Sequence, residues 1–105
     1  MTNIDDFADW TATTWISGDN PNSLAIMSLG LAGETGEALE HIKKRLRDNK
    51  WDEDAFIKEM GDVVHYWAKI LNHFGISPSY VLAMNQEKIK SRQQRNVLAG
   101  SGDNR

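Results

Sequence analysis

Apolar residues in this chain recur at intervals of three and four along most of its length, and nowhere do they alternate with a period of two over strand length. That periodicity builds an apolar face on a helix and none on a strand, so an all-α fold is the expectation. Three punctuations divide the pattern: Gly18-Asp19-Asn20-Pro21, the stretch from Asp48 to Trp51, and Gly75 to Pro78. Four helices result. Their short connections favour antiparallel neighbours, so the chain predicts a bundle-like arrangement of four helices.

The first helix is expected from about Ile4 to Trp15, with Asn3 as its cap and Ile4, Phe7, Ala8, Thr11, Ala12 and Trp15 on one face; Asp5, Asp6 and Asp9 point elsewhere. The second starts near Asn22 or Ser23 and runs to about Arg47, with Leu24, Met27, Leu31, Ala38, Leu39, Ile42 and Leu46 as its stripe. Lys43, Lys44, Arg45 and Arg47 suit the negative end of its dipole. Asp52 or Glu53 opens the third, which carries Phe56, Met60, Val63, Val64, Trp67, Leu71 and Phe74 and stops at Gly75. Ser77 and Pro78 are a cap and a first-turn residue, so the fourth helix follows to about Arg95, with Val81, Leu82, Asn85 and Ile89 facing inward. Residues 1–98 read as one domain. Residues 99–105, rich in Gly, Ser and Asn, read as a flexible tail.

With 105 residues the chain suits a single modest domain, and helices this long leave apolar stripes uncovered in a monomer. A homodimer or homotetramer is the expected remedy. There is no cysteine, which removes disulfides and thiolate metal sites and is compatible with a reducing cytoplasm. The stretch from Met1 to Asp9 lacks a basic start and an apolar core, and no eighteen apolar residues run together, so neither secretion nor a membrane partner is expected. The net charge of -3 has the wrong sign for gripping a nucleic acid polymer. Basic residues nonetheless cluster from His41 to Arg47 and from Lys88 to Arg95, which leaves room for local phosphate contacts.

Four acids stand out from the remaining charge. Glu34 and Glu37 are three apart on the second helix, Glu59 and Asp62 three apart on the third, so each pair shares one helical face. At 100° per residue both pairs lie to the same rotational side of their own apolar stripes. Placing Glu34 opposite Asp62 and Glu37 opposite Glu59 satisfies one antiparallel register. Four converging carboxylates repel unless neutralised, and hard divalent cations with oxygen ligands are the usual neutraliser. Magnesium is the expected ion, because it keeps waters and leaves room for substrate phosphates. Either pair taken alone would be an ordinary solvated face. Gly30, Gly33 and Gly36 add a hint on the same helix, since each costs about 0.8–1 kcal/mol relative to alanine. Close approach of a helix or ligand would offset that cost, and a kinked helix is the plain alternative.

On the fourth helix Asn85, Lys88 and Arg92 form one stripe with an amide, an ammonium and a guanidinium, which suits phosphate oxygens although most cationic helix faces are merely solvated. Taken together, Leu31-Ala-Gly-Glu34-Thr-Gly-Glu37, Glu59-Met-Gly-Asp62-Val-Val and Asn85-x-x-Lys88-x-x-x-Arg92 resemble the MazG-like branch of the all-α nucleoside triphosphate pyrophosphohydrolases. The likeness spans about Ala8 to Arg95, and the short length resembles stand-alone, often phage-encoded versions. It implies cleavage between the α and β phosphates of a nucleotide, most naturally a deoxynucleotide in the phage setting. It further implies magnesium, or manganese in its place, held by Glu34, Glu37, Glu59 and Asp62. Lys88 and Arg92 would steady negative charge, and Asn85 would orient sugar or phosphate. Members often carry another acid where this chain has Ala38, with Glu40 further round, so the number of ions is open.

Two other functions fit parts of the pattern. Asp62-x-x-His65 resembles the carboxylate and histidine ligation of di-iron or di-manganese oxidoreductase bundles, although those sites use Glu-x-x-His twice. A non-catalytic helical interaction module, docking a basic partner on its acidic patch, is the third class. Trp10 and Trp51 lie off the apolar stripes and could stack on a base or fill a subunit interface, whereas Trp15 and Trp67 read as packing residues.

Overall fold

A computed structural model describes residues 2–15 and 18–105. It has four helices and, among the described residues, no strand: α1 (Ile4–Thr11), continued by a 3₁₀ turn (Ala12–Thr14), α2 (Ser23–Asp48), α3 (Glu53–His73) and α4 (Pro78–Gln94). The all-α expectation is met. None of the helices is long and apolar enough to cross a membrane.

The helix ends are set by local chemistry. Asn3 caps α1 by accepting from the Asp6 amide, Asp52 caps α3 by accepting from Ala55, and Ser77 caps α4 by accepting from Tyr80. α2 ends at Asn49 in the left-handed region, where Lys50 donates to the Lys44 carbonyl, and α3 ends at left-handed Gly75, where Ile76 donates to the Leu71 carbonyl. Both ends thereby satisfy orphan carbonyls of the last turn. α1 stops as an α-helix at Thr11, short of the expected Trp15. The hydroxyls of Thr11, Thr13 and Thr14 each donate to the carbonyl three residues earlier, and these local bonds accompany the tighter 3₁₀ turn.

The long hairpin α2–α3 is the principal packing unit, and α1 lies across α3. Thr11 is fully buried at that crossing, and the Asn72 amide donates to the Ala8 carbonyl at 2.6 Å and to Thr11 Oγ1 at 3.2 Å. His65 adds a 2.9 Å hydrogen bond to Thr14 Oγ1 and edge-on contacts with Phe7 and Trp10. α4 packs mainly against α1 rather than lying alongside the hairpin. Asp5 fixes this joint: its Oδ1 accepts from the Ser79 amide at 2.9 Å and from the Ser77 hydroxyl at 3.2 Å, and these bonds hold its carboxyl below the usual range. The charge of α1 therefore completes the cap of α4.

The resulting shape is open, with a radius of gyration of 16.7 Å against about 13 Å for a compact chain of this length. Several residues expected to form the core stand exposed instead. Leu39, Ile42 and Leu46 of α2, Met60, Val64 and Phe74 of α3, and Leu82 of α4 all face solvent in the single chain. Among the described residues, Ala8, Met27, Ala38, Ala68 and Pro78 are the apolar side chains that are buried. The difference has a geometric cause. A two-helix hairpin covers one side of each partner, and α4 is committed to α1.

Candidate active site

The acids of α2 and α3 meet across the hairpin. One carboxylate oxygen from each of Glu34, Glu59 and Asp62 lies within 4.8 Å of the other two. Among the described residues, no other trio of acidic or histidine side chains comes so close. Opposite oxygen ligands of a magnesium ion stand about 4 Å apart, so the trio is near the spacing at which one ion is shared. Glu34 is the pivot of the group. Its Oε2 is buried with no hydrogen-bond partner, and burial is the first cause of a carboxyl pushed up to about 7; the charges of Glu37 and Asp62 and the adjacent Glu59 carboxylate raise it further. Glu37 stands one turn along on the same face, exposed, close enough for its charge to be felt at Glu34. Glu40, further round, is paired with Lys43 at 2.9 Å and lies outside the cluster.

An unpartnered buried carboxylate oxygen beside two more acids is an incomplete arrangement for protein alone. Hard divalent cations fit it, since the donors are all oxygen and the local charge is negative. His65 takes no part. Its Nε2 is spent on Thr14, and burial together with the charge of Lys69 lowers its pKa.

The glycine hint resolves into one requirement. A Cβ on Gly30 would stand 2.5 Å from Cε1 of Tyr66, so α2 and α3 approach as closely as they do because that position lacks a side chain. Gly33 and Gly36 face open space. The Gly30–Tyr66 contact keeps the same antiparallel register as Glu34 opposite Asp62, one helical turn away.

Next to Tyr66 lies a residue that sequence reading passed over. Lys69 is only 7 % exposed, its Nζ lies 5.1 Å from the Trp15 ring centre and 5.5 Å from that of Tyr66, and burial lowers its pKa. The two ring faces offset part of the cost of burying this charge. A lysine seven residues after Asp62, flanked by Ala68 and Ile70, was the available signal.

Asn85, Lys88 and Arg92 share α4, as their spacing requires, but α4 packs mainly on α1 rather than on the acid-bearing hairpin. Asn85 and Lys88 border an open groove of about 620 Å³ with Ile76, Tyr80, Val81 and Met84. Lys88 and Arg92 reach residues 102 and 103. Trp10 is exposed, and Trp51 lies under the Arg45 guanidinium at 4.9 Å and against Phe56, so neither belongs to the acid cluster.

Comparison with known proteins agrees with this geometry. The chain is 38% identical over 92 residues to the "Gene 37 protein" of Mycobacterium phage L5, a match covering 83% of this chain and 81% of that one. No solved structure matches it. The model of the MazG nucleotide pyrophosphohydrolase domain matches residues 22–97, a span holding all four acids and the α4 stripe. With the acids of α2 and α3 gathered inside that span, the chain belongs to the MazG nucleotide pyrophosphohydrolase family and is a hydrolase of nucleotide pyrophosphate bonds.

Proposed function

We propose that this protein is a magnesium-dependent nucleoside triphosphate pyrophosphohydrolase that cleaves between the α and β phosphates and acts on deoxynucleotides. The observation that carries the reading is the convergence of Glu34, whose Oε2 is buried and unpartnered, with Glu59 and Asp62. Glu34, Glu37, Glu59 and Asp62 hold the divalent ions, with manganese able to replace magnesium. When bound, the ions neutralise the phosphates and polarise the phosphorus centre. The carboxylates fix where a phosphate chain can lie, because an uncompensated polyphosphate would be repelled from them. Lys88 and Arg92 take phosphate oxygens, Arg92 through parallel hydrogen bonds, and Asn85 orients sugar or phosphate.

In this reading residues 1–98 are the catalytic domain, and the working unit is a homodimer or homotetramer. Self-association would cover apolar side chains such as Leu29 and Leu46, which are 73% and 82% exposed in the single chain, and would let one subunit's α4 approach another's acids. The preference for deoxynucleotides rests on kinship with a phage protein, as does action in the host cytoplasm. Nothing favours the di-iron alternative, since His65 is bonded to Thr14.

A screen of the common ribo- and deoxynucleoside triphosphates with magnesium tests the proposal. Pyrophosphate and a nucleoside monophosphate in equal amounts are the expected products, with deoxynucleotides turned over fastest. Release of orthophosphate instead, or turnover that survives complete metal chelation, would overturn it.

A further inference from the structure

Residues 96–105 do not extend α4. Asn96 takes a left-handed conformation, Val97 donates to the Arg92 carbonyl at 2.9 Å, and the chain then doubles back over the last turns of the helix. What it meets there is the cationic pair. Lys88 Nζ donates to Asp103 Oδ1 at 3.1 Å, and Arg92 Nη2 donates to the same oxygen at 3.3 Å, to the Asp103 carbonyl at 2.9 Å and to the Gly102 carbonyl at 3.3 Å. Arg105 closes the loop by donating to the carbonyls of Val97, Leu98 and Gly102.

Three features mark this contact as replaceable. The strap is held by polar contacts: Gly100, Ser101, Gly102 and Asp103 are exposed, and Leu98, the apolar residue leading into it, is half exposed. Its carboxylate remains 81% exposed, in the range where an ion pair contributes little. Finally, the strap satisfies Arg92 incompletely. Arg92 is only 4% exposed, yet its Nε is buried with no partner while Nη2 is shared among three oxygens. A phosphate group, with oxygens spaced to meet Nε and Nη2 together, would satisfy that guanidinium better than one carboxylate and two carbonyls do.

We propose that residues 99–105 form an autoinhibitory strap in which Asp103 occupies the place of a substrate phosphate on Lys88 and Arg92, so that binding a nucleoside triphosphate requires its displacement. The proposal rests on the reading of those two cations as phosphate contacts. Polyphosphate competes with a single carboxylate for them, so the strap raises the substrate concentration needed for half-saturation and leaves the chemical step alone.

The test compares steady-state kinetics of the full chain with Asp103→Asn, with a form ending at Leu98, and with Lys88→Ala, helical content being checked by circular dichroism. Asp103→Asn should lower KM about two- to fivefold with kcat unchanged, as expected for loss of one exposed carboxylate shared by two weak ion pairs, and removing the strap should lower it further. Lys88→Ala should raise KM. If Lys88→Ala raises KM while Asp103→Asn leaves it unchanged or raises it, the strap is overturned and the phosphate reading stands. If Lys88→Ala leaves KM unchanged, the phosphate reading fails and the strap with it. Should the shortened form misfold, Asp103→Asn alone decides, because it alters one exposed side chain.

Discussion

The α2–α3 hairpin and the α1–α4 pair solve opposite problems. In the hairpin two long helices pack closely enough that Gly30 must lack a side chain beneath Tyr66, and that closeness forces acids together at Glu34, Glu59 and Asp62. In the other pair the contact is made at helix ends, through Asp5 and the cap of α4, and the cations of α4 are left for residues 102 and 103 to cover. Tight packing thus builds a cluster of like charges that a proton or a cation would relieve. Loose packing leaves the cations of α4 displaced from it. Clusters of opposite charge are in this way kept from neutralising one another within one chain.

The sharpest way to break this contrast is to remove charge from the hairpin. Asp62→Asn, and separately Glu59→Gln, should lower kcat/KM by about three orders of magnitude or more while circular dichroism stays that of the native protein. Near-normal turnover in both would show that the cluster is only surface charge.

Protons should compete with metal at the same place. Glu34 has a pKa raised from the ordinary 4.5 to about 7, so the folded metal-free protein holds this proton more tightly than the unfolded chain does. The stability it contributes is present below about 4.5 and is lost as pH rises through about 7, so thermal melts of the metal-free protein should worsen across that window. Because an ion must displace the proton, apparent magnesium affinity measured by calorimetry should rise by up to about tenfold per pH unit below about 7 and then level off. An affinity independent of pH over that range would remove Glu34 from the ion's ligands.

Close packing makes its own smaller prediction. Gly30→Ala should destabilise the protein by about 1–3 kcal/mol, since the new methyl meets the Tyr66 ring and the ring must move. Gly33→Ala and Gly36→Ala, which meet open space, should each stabilise by up to about 1 kcal/mol through helix propensity. Chemical denaturation measures all three, and a loss at Gly33 or Gly36 would show that a second subunit covers that face. Smallest is the end-on joint. Asp5→Ala should lower the melting temperature by a few degrees and leave kcat unchanged, because it removes two hydrogen bonds at an exposed helix start.

Much of the candidate site was legible because it depends on angles within a helix. Residues three apart share a face, and a hairpin of two such helices has few registers that bury its stripes, so the meeting of Glu34, Glu59 and Asp62 follows from spacing. The same reasoning located the caps at Asn3 and Ser77 and narrowed the start of α3 to Asp52 or Glu53, of which Asp52 is the cap. It overstated the core, because Leu39, Leu46, Met60 and Leu82 have the right period but no partner in the chain to lie against. It was blind to Lys69, whose burial depends on Trp15 arriving from another helix. It also treated Asp5 as idle surface, since its role lies more than seventy residues away.

By itself the sequence determined the class of fold, the helix ends other than the close of α1, and the faces on which acids and cations stand, because each is fixed by the rotation and rise between near neighbours. Only the tertiary structure decided which of three glycines is required, that α4 joins α1 rather than the hairpin, and that Asp103 returns to Lys88 and Arg92. Those outcomes turn on which distant surfaces meet. Helical periodicity carries no information about that until side-chain volumes and chain reversals are laid out in space.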